Sequence, residues 1–335
     1  MRSALLRVLL LVAGLAVLVA ILWIVGWPAI LANLGAIGPW FLALVALNLV
    51  VQMAFVAGLR LVLEPPLPWS GFLHLYGIYV SGDAANYLAP TSGEAVKTHL
   101  LREWRNRGSA ALAAVTLHKQ ADLVGQTALA ILGVTLALLR FDLPGAIAWL
   151  AVAGTLALVV LLVLMTWALS RGAFSPILER LAGWKPLATR LERYRSGVRA
   201  ADDLIGVFYA AHRGRFLAAC ACSFAGWSGG LVETYIVIRL LAPSAGWETA
   251  VAVECLAIVL NNMFLFLPGK LGGAEGVRTG VFVLVGLPAA SGAAYSLVRR
   301  TRELLWVLPG WVILMRKHLW ARRGWKAAGE PREVS

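Results

Sequence analysis

Long apolar runs dominate the chain and are separated by short polar interruptions. The runs at 5–25, 40–59, 110–139 and 146–169 each approach or exceed the ~20 residues that an α-helix needs to cross the hydrocarbon core of a bilayer. They show no alternation of apolar and polar positions, which excludes a transmembrane β-barrel. The pattern therefore predicts an all-α, polytopic integral membrane protein.

The order of the runs predicts full spans and interrupted segments. About six full spans are expected, at about 4–25, 38–61, 109–139, 145–169, 215–242 and 288–315. Pro and Gly interrupt two further stretches, 69–105 and 251–287. We interpret each stretch as a re-entrant pair of broken half-helices, because irregular backbone at membrane depth is tolerated only where protein or a water-filled cavity surrounds it. Residues 26–39 are predicted to form an outer loop without charge.

Charged residues recur at the same spacing in the two halves. The matched positions are Glu94, Lys97, Lys119 and Asp122 in the first half, and Glu275, Arg278, Arg300 and Glu303 in the second. In each half 28 residues separate the two acids and 22 separate the two bases, so a shift of 181 superposes the sets. Interrupted segments at matching places in two halves are typical of a transporter's midplane site. We predict a first membrane repeat at 1–144, a second, inverted repeat at 145–316 and a cytoplasmic tail at 317–335.

Basic residues outside the spans predict the orientation and the partners. Nine Lys or Arg lie in the polar loop 171–215, and five lie between 316 and 326. Because basic loops mark the cytoplasmic side, both termini are predicted to be cytoplasmic. The net charge of +13 raises the possibility of nucleic acid binding. A basic loop between spans is more typical of contact with anionic headgroups, so no nucleic acid partner is expected.

The candidate substrate-binding residues are the charged groups at membrane depth. They are Glu94, Lys97, His118, Lys119, Asp122, Glu275, Arg278, Arg299, Arg300, Arg302 and Glu303. Each charge at a helix centre costs roughly 2.5–3.5 kcal/mol unless it is paired or faces a polar cavity. One interpretation is neutralisation within each span: Lys119 is neutralised by Asp122, and Arg300 in the last span is neutralised by Glu303. A functional cavity is the other, favoured by the surplus of bases in the last span, which a lipid phosphate would balance.

Known catalytic motifs do not accompany these charges. The sequence contains no G-x-S-x-G elbow, no Ser/His/Asp grouping, no Gly-rich nucleotide loop and no HExxH metal motif. We therefore expect no metal, no cofactor and no enzymatic activity. An intramembrane transferase with Glu94 and Asp122 as acid and base stays an alternative. Glu94 and Glu275 also have a structural interpretation, since each falls in the first turn of a half-helix, where the helix dipole favours an anion.

Four segments carry a resemblance to a known family. They are PTSGEAVKTHLLRE (90–103), HKQADLVGQ (118–126), LPGKLGGAEGVRTG (267–280) and SLVRRTRELLWVLPG (296–310). Together they resemble the transmembrane region of the lysylphosphatidylglycerol synthetases and their stand-alone flippase-like relatives, and look closest to the branch associated with hopanoid biosynthesis. The resemblance implies movement of a lipid between leaflets, which in the synthetases is aminoacylated phosphatidylglycerol. The chain departs from the synthetases by having no soluble aminoacyl-transferase domain after the membrane region, which argues against synthesis.

The function expected from the sequence is a lipid transporter or flippase. Its substrate would be a polar or anionic lipid, of hopanoid type or aminoacylated, moved between the leaflets of the bacterial inner membrane that the resemblance implies. Two alternatives stay open: a lipid-modifying transferase, and a membrane scaffold for a lipid-biosynthesis complex with the loop 171–215 as its docking surface. The expected partners are membrane lipids, with a second copy of the chain or lipid-biosynthesis enzymes as protein partners.

Overall fold

The computed structural model shows the helical protein that the apolar runs predict. It describes residues 23–24, 27–88, 92–105, 107–172, 174–182, 195–264 and 270–316. Within these ranges every regular element is a helix and no strand occurs. The predicted first span, apart from Trp23 and Ile24, and the predicted tail 317–335 lie outside the described residues. So do 89–91 and 265–269, which contain the prolines of the two interruptions.

The helices are numbered here in chain order. They are α1 (Trp27–Ile37), α2 (Phe41–Leu61), α3 (Phe72–Leu88), α4 (Ser92–Arg105), α5 (Gly108–Arg140), α6 (Gly145–Ser170), α7 (Phe174–Ala182), α8 (Arg195–Ala211), α9 (Arg213–Leu241), α10 (Trp247–Asn261), α11 (Gly273–Leu284) and α12 (Ala289–Met315). Short 3₁₀ turns at Gly38–Trp40, Trp69–Gly71 and Asn262–Phe264 join or extend them.

Several helical segments are long and apolar enough to cross a membrane. Within the described part of the chain these are Pro28–Leu61, Gly108–Arg140, Gly145–Ser170, Arg213–Leu241 and Trp247–Phe264. The first four contain predicted full spans. The fifth contains the first half of the second predicted broken pair, and it begins before the predicted position 251 because Trp247 to Ala250 are helical. Helix α12 has the length of a span, 27 residues, but the four charges near its middle keep it out of this apolar set.

The predicted outer loop 26–39 is wrong, because most of it is helical. Residues Trp27–Ile37 form α1, which continues through a 3₁₀ turn into α2. Pro28 lies in the first turn of α1, where a missing N–H removes no intrahelical hydrogen bond. Ile30 and Ile37 are fully buried and lie seven residues apart, two helical turns, on the face that packs inward. The absence of charge thus reflects an apolar helix that buries one face.

The basic segment 171–215 is also more ordered than a polar loop. It contains α7, α8 and the start of α9, while residues 183–194 lie outside the described part. The backbone N–H and hydroxyl of Ser175 donate to Asp202, at 2.8 and 2.6 Å. Hydrogen bonds from Arg199 and Arg195 to Glu179 lower the pKa of that carboxyl. These contacts fasten α7 to α8 across the ends of the membrane helices.

Helix boundaries in the two halves agree with the spacing of the charges. A shift of 181 residues moves Ser92, where α4 begins, onto Gly273, where α11 begins. The same shift moves Gly108, the start of α5, onto Ala289, the start of α12. In each half, the helix before the interruption packs against the long helix of the other half: α3 against α12, and α10 against α5. The division into two inverted repeats at 144/145 stays a prediction.

Glycines allow the central helices to approach closely. A Cβ placed on Gly125 of α5 would lie 2.7 Å from the backbone nitrogen of Phe224 in α9. One placed on Gly310 of α12 would lie 2.5 Å from the carbonyl oxygen of Val80 in α3. Small residues at helix crossings let backbones pack directly in membrane proteins. The positions of α5, which carries Lys119 and Asp122, and of α12, which carries Arg300 and Glu303, therefore depend on these contacts.

We expect Gly125→Ala to destabilise the protein by about 1–3 kcal/mol, because the added methyl group pushes α5 away from the α9 backbone. Gly280→Ala is the matched control, since a Cβ there meets nothing within 4 Å. The measurement is the midpoint of thermal unfolding in detergent. Equal midpoints for the two variants would show that the α5–α9 contact is looser than described.

Candidate functional site

The first charged cluster, Asp83, Glu94, Lys97, Lys119 and Asp122, contains the four acids and bases predicted for the first half together with Asp83. Lys97 is buried, with its Nζ 3.2 Å from Asp83 and 3.8 Å from Glu94. The ammonium group also lies 4.2 Å from the centre of the Tyr79 ring. Asp83 was not predicted, and it is the nearer of the two acids to Lys97. Glu94 lies in the first turn of α4, as its structural interpretation expected.

The α5 part of this cluster pairs internally and reaches across to α9. Lys119 donates to Asp122 at 2.8 Å, so the predicted neutralisation within the span is present. The other oxygen of Asp122 accepts a hydrogen bond from the indole of Trp227 at 2.9 Å. His118, one residue before Lys119, is buried and lies 2.9 Å from the carbonyl oxygen of Phe55, to which its Nε2–H donates. His118 therefore links α5 to α2.

The second charged cluster comprises Glu233, Glu254, Glu275, Arg278, Arg299, Arg300, Arg302 and Glu303. One of its bidentate pairs was not predicted: Arg299 donates both terminal nitrogens to Glu254, at 2.7 and 2.9 Å. Glu254 also accepts from the hydroxyl of Thr234 at 2.7 Å, and Arg299 donates to the Tyr295 hydroxyl at 2.7 Å. This network joins α9, α10 and α12 through charge-assisted hydrogen bonds, which are about twice as strong as neutral ones.

Arg300 is held mainly by an acid from another helix. Its Nε and Nη2 lie 2.6 and 2.5 Å from Glu275 of α11, and its Nη1 donates to the hydroxyl of Tyr87 at 2.8 Å. The contact with Glu303, the partner expected from spacing, is longer at 3.3 Å. The pairing of Arg300 with Glu303 within the last span is therefore present, but tertiary packing brings Glu275 of α11 closer to Arg300. Arg302 pairs with Glu233 of α9 at 3.0 Å.

Single acids in apolar runs are the residues that sequence reasoning missed. Glu233 and Glu254 are each surrounded by apolar and small residues in α9 and α10, and Asp83 lies in the less apolar α3. The cost of charge at membrane depth marks a lone acid as strongly as a cluster. Applied to isolated residues, the same rule would have identified Glu233 and Glu254 as paired or functional.

Several members of the second cluster line a cavity between α5, α9, α10, α11 and α12. The cavity has a volume of about 190 Å³, and we call it the basic cavity. Its charged lining residues are Lys270, Arg278, Arg299, Arg300, Glu254 and Glu303. The volume lies below the roughly 300–1,000 Å³ of pockets for drug-sized ligands and well above the roughly 30 Å³ share of one water. A phosphate-sized part of a headgroup therefore fits, and four bases face two acids.

Hydrogen-bonding groups that have no partner among the described residues converge on the basic cavity. Nη1 of Arg278 is buried and makes no hydrogen bond to the described residues, while Nη2 lies 3.6 Å from Glu303. The side-chain nitrogen of Asn262 is likewise buried without a partner there. Lys270 forms no ion pair within the ranges that the structure describes. Buried donors without acceptors are costly, and an anion in the cavity would satisfy them.

A second cavity, of about 250 Å³, lies between α2, α3 and α12. We call it the aromatic cavity, because Phe55, Tyr79, Tyr87 and Trp306 line it. Asp83, Arg302 and Glu303 are its charged lining residues. Glu303 therefore lines both cavities, and Tyr87 lines this one while its hydroxyl bonds to Arg300 of the other. These side chains form the wall between the cavities.

The predicted site residues thus fall into two groups. Those that line a cavity are Arg278, Arg299, Arg300, Arg302 and Glu303. Those that line neither are Glu94, Lys97, His118, Lys119, Asp122 and Glu275. The second group still contacts the cavities through neighbours: Asp83 lies between Lys97 and the aromatic cavity, and Trp227 between Asp122 and the basic cavity. No group of three or more His, Cys, Asp or Glu suited to a metal ion occurs among the described residues.

We expect Glu254→Gln to lower the free energy of unfolding by roughly 3–5 kcal/mol, because it leaves the buried Arg299 guanidinium without its counter-charge. Glu248→Gln removes the exposed partner of Arg140 and should cost no more than about 1 kcal/mol. The comparison is between unfolding curves in detergent. If the two variants unfold alike, the bidentate pair does not stabilise the helix packing.

Comparison with protein families gives a match over most of the chain. Residues 10–310 match the family described as Lysylphosphatidylglycerol synthase TM region. No curated protein sequence and no solved structure is similar enough to the chain to be matched. The matched range contains both charged clusters and both cavities, and it covers most of the 335 residues. The chain is therefore a multi-pass membrane protein with a lipid-related function, and it belongs to the lysylphosphatidylglycerol synthase TM region family.

Proposed function

We propose that this protein is a lipid transporter that moves an anionic lipid between the two leaflets of the membrane. The observation that carries the proposal is the basic cavity, where four bases face two acids between membrane helices. A phosphate group that enters hydrocarbon loses its hydration, and fixed guanidinium groups replace part of it. The family match supports a role with membrane lipids, and the surplus of bases favours an anionic headgroup.

The lining bases differ in how firmly the protein holds them. Glu254 holds Arg299 and Glu275 holds Arg300, so both guanidinium groups keep their orientation without a ligand. Arg278 and Lys270 are held less firmly, and Nη1 of Arg278 has no hydrogen-bond partner in the part of the chain that the structure describes. A headgroup phosphate would take its direct hydrogen bonds from Arg278 and Lys270, and Arg299 and Arg300 would add a fixed positive field.

A transferase is the competing function. In the basic cavity both acids, Glu254 and Glu303, face arginine side chains. That arrangement suits the positioning of positive charge better than general acid or base catalysis, which needs an acid within reach of the proton it transfers. We therefore favour transport without chemical change of the lipid. The substrate's hopanoid or aminoacylated character, the bacterial inner membrane and the cytoplasmic termini remain parts of this proposal.

We expect Arg278→Gln to slow lipid translocation at least about tenfold, since it removes a charge-assisted hydrogen bond worth roughly 1.5–3 kcal/mol. The measurement is the loss of accessible fluorescent phosphatidylglycerol from the outer leaflet of liposomes that contain the purified protein. Arg239→Gln is the matched control, because Arg239 is exposed and bonds only to the nearby carbonyl of Pro243. Equal rates in the two variants would contradict a role for the basic cavity in translocation.

Lipid analysis of cells that lack the protein separates transport from synthesis. A transporter leaves the total amount of each lipid unchanged and shifts one lipid between leaflets. A transferase removes a lipid species altogether. We expect the first result, measured by total lipid mass spectrometry together with labelling of the outer leaflet; complete loss of a species would favour the transferase.

A further inference from the structure

Glu303 differs from the other acids of the second charged cluster in its contacts. Its closest approaches to Arg300 and Arg278 are 3.3 and 3.6 Å. By contrast, Glu275 and Glu254 approach their arginines to 2.5 and 2.7 Å. The side chain of Glu303 is 31% exposed, against 2% and 3% for those two. Glu303 is therefore the most weakly held and most accessible of these carboxylates.

The position of Glu303 matches the place where an anionic headgroup would bind. Its two arginine neighbours, Arg278 and Arg300, both line the basic cavity. A phosphate there would compete with the carboxylate for the same guanidinium groups, because two anions repel at such distances. Phosphate offers more acceptor oxygens than a carboxylate and forms bidentate contacts with arginine. The incoming group would therefore displace Glu303 and leave Glu275 in place.

Hydrogen-bond donors for a displaced Glu303 lie on the other side of the wall, in the aromatic cavity. It already lines the aromatic cavity, where Arg302 is also found. The Nε of Arg302 is buried and has no hydrogen-bond partner among the described residues. The side-chain amides of Asn48 and Gln52 line the same cavity. A carboxylate that turns toward the aromatic cavity is thus not left without donors.

We propose that Glu303 is an exchangeable counter-ion: a lipid headgroup phosphate displaces it from Arg278 and Arg300, and its departure opens the wall between the basic and aromatic cavities. This inference rests on the proposed transport function and specifies how binding leads to movement. A ligand shifts a conformational equilibrium only as far as it binds one state better than the other. Here the preference arises because the phosphate and Glu303 cannot occupy the two arginines together.

The return of Glu303 then releases the headgroup. With Glu303 back on Arg278 and Arg300, the phosphate loses its direct contacts and leaves. Removing the carboxylate should therefore have opposite effects on two quantities. Binding of the headgroup should become tighter, while translocation should become slower, because nothing displaces the lipid. If Glu303 acted only through its negative charge and did not exchange with the phosphate, its removal would tighten binding and leave translocation unchanged or faster.

The test uses the purified full-length protein and two measurements. Fluorescent phosphatidylglycerol is titrated in detergent to obtain its Kd, and translocation is measured in liposomes of the same preparation. We expect Glu303→Gln to lower the Kd about tenfold, the effect of roughly 1.4 kcal/mol, and to slow translocation. An unchanged or higher Kd, or tighter binding with undiminished translocation, would overturn the proposal. Glu248→Gln, which removes an exposed acid of α10, should change neither quantity.

Two further arms keep the outcome interpretable. If Glu303→Gln does not fold, Glu303→Asp replaces it. The shorter carboxylate reaches the arginines less well, so the Kd should again fall and translocation should again become slower. No change in either quantity would overturn the proposal. Inorganic phosphate is titrated in parallel, and binding of phosphate without binding of phosphatidylglycerol would overturn the lipid assignment. A wild-type protein that binds phosphatidylglycerol but moves no lipid would contradict the transport function, while a Kd that responds to Glu303→Gln would still support displacement.

Discussion

Charge buried between membrane helices has to meet opposite charge, and this requirement connects the central helices to one another. Removing one partner of a buried pair exposes the other to a medium that solvates it poorly. Arg299 and Glu254 join α12 to α10, and Arg300 and Glu275 join α12 to α11. Because each pair joins different helices, the packing of the bundle and the arrangement of charge depend on each other.

Small residues next to the charged groups make this pairing sterically feasible. A Cβ on Gly230 of α9 would lie 2.8 Å from a carboxylate oxygen of Glu254. A Cβ on Gly82 of α3 would lie 2.5 Å from the side chain of Lys97. In both places a glycine provides the space that a long charged side chain needs to reach its partner. Some glycines thus bring helices together and others make room for charged side chains, and both are needed for the buried charges to pair.

The sequence predicted the helical class and the charged positions better than it predicted their partners. Apolar run length is a property of the local sequence, so most spans were recognisable. Pairing by spacing finds only neighbours three or four residues apart on one helix, as for Lys119 and Asp122. The partners of Arg299 and Arg300 lie 45 and 25 residues away along the chain, on other helices. The cavities could not be predicted either, because they depend on how three helices in one case and five in the other meet.

Comparison of positions 181 residues apart shows why Arg278 of the basic cavity lacks a close acid. Lys97 and Arg278 are such a pair, and each lies near the start of its half-helix. Lys97 has Asp83 as its nearest acid, whereas the position 181 residues after Asp83 is occupied by Phe264. Arg278 thus has no acid at the place where Lys97 has one, and its remaining partner, Glu303, lies 3.6 Å away. The two halves therefore differ by one carboxylate at an otherwise matching position, and this difference leaves Arg278 in the basic cavity less closely paired than Lys97.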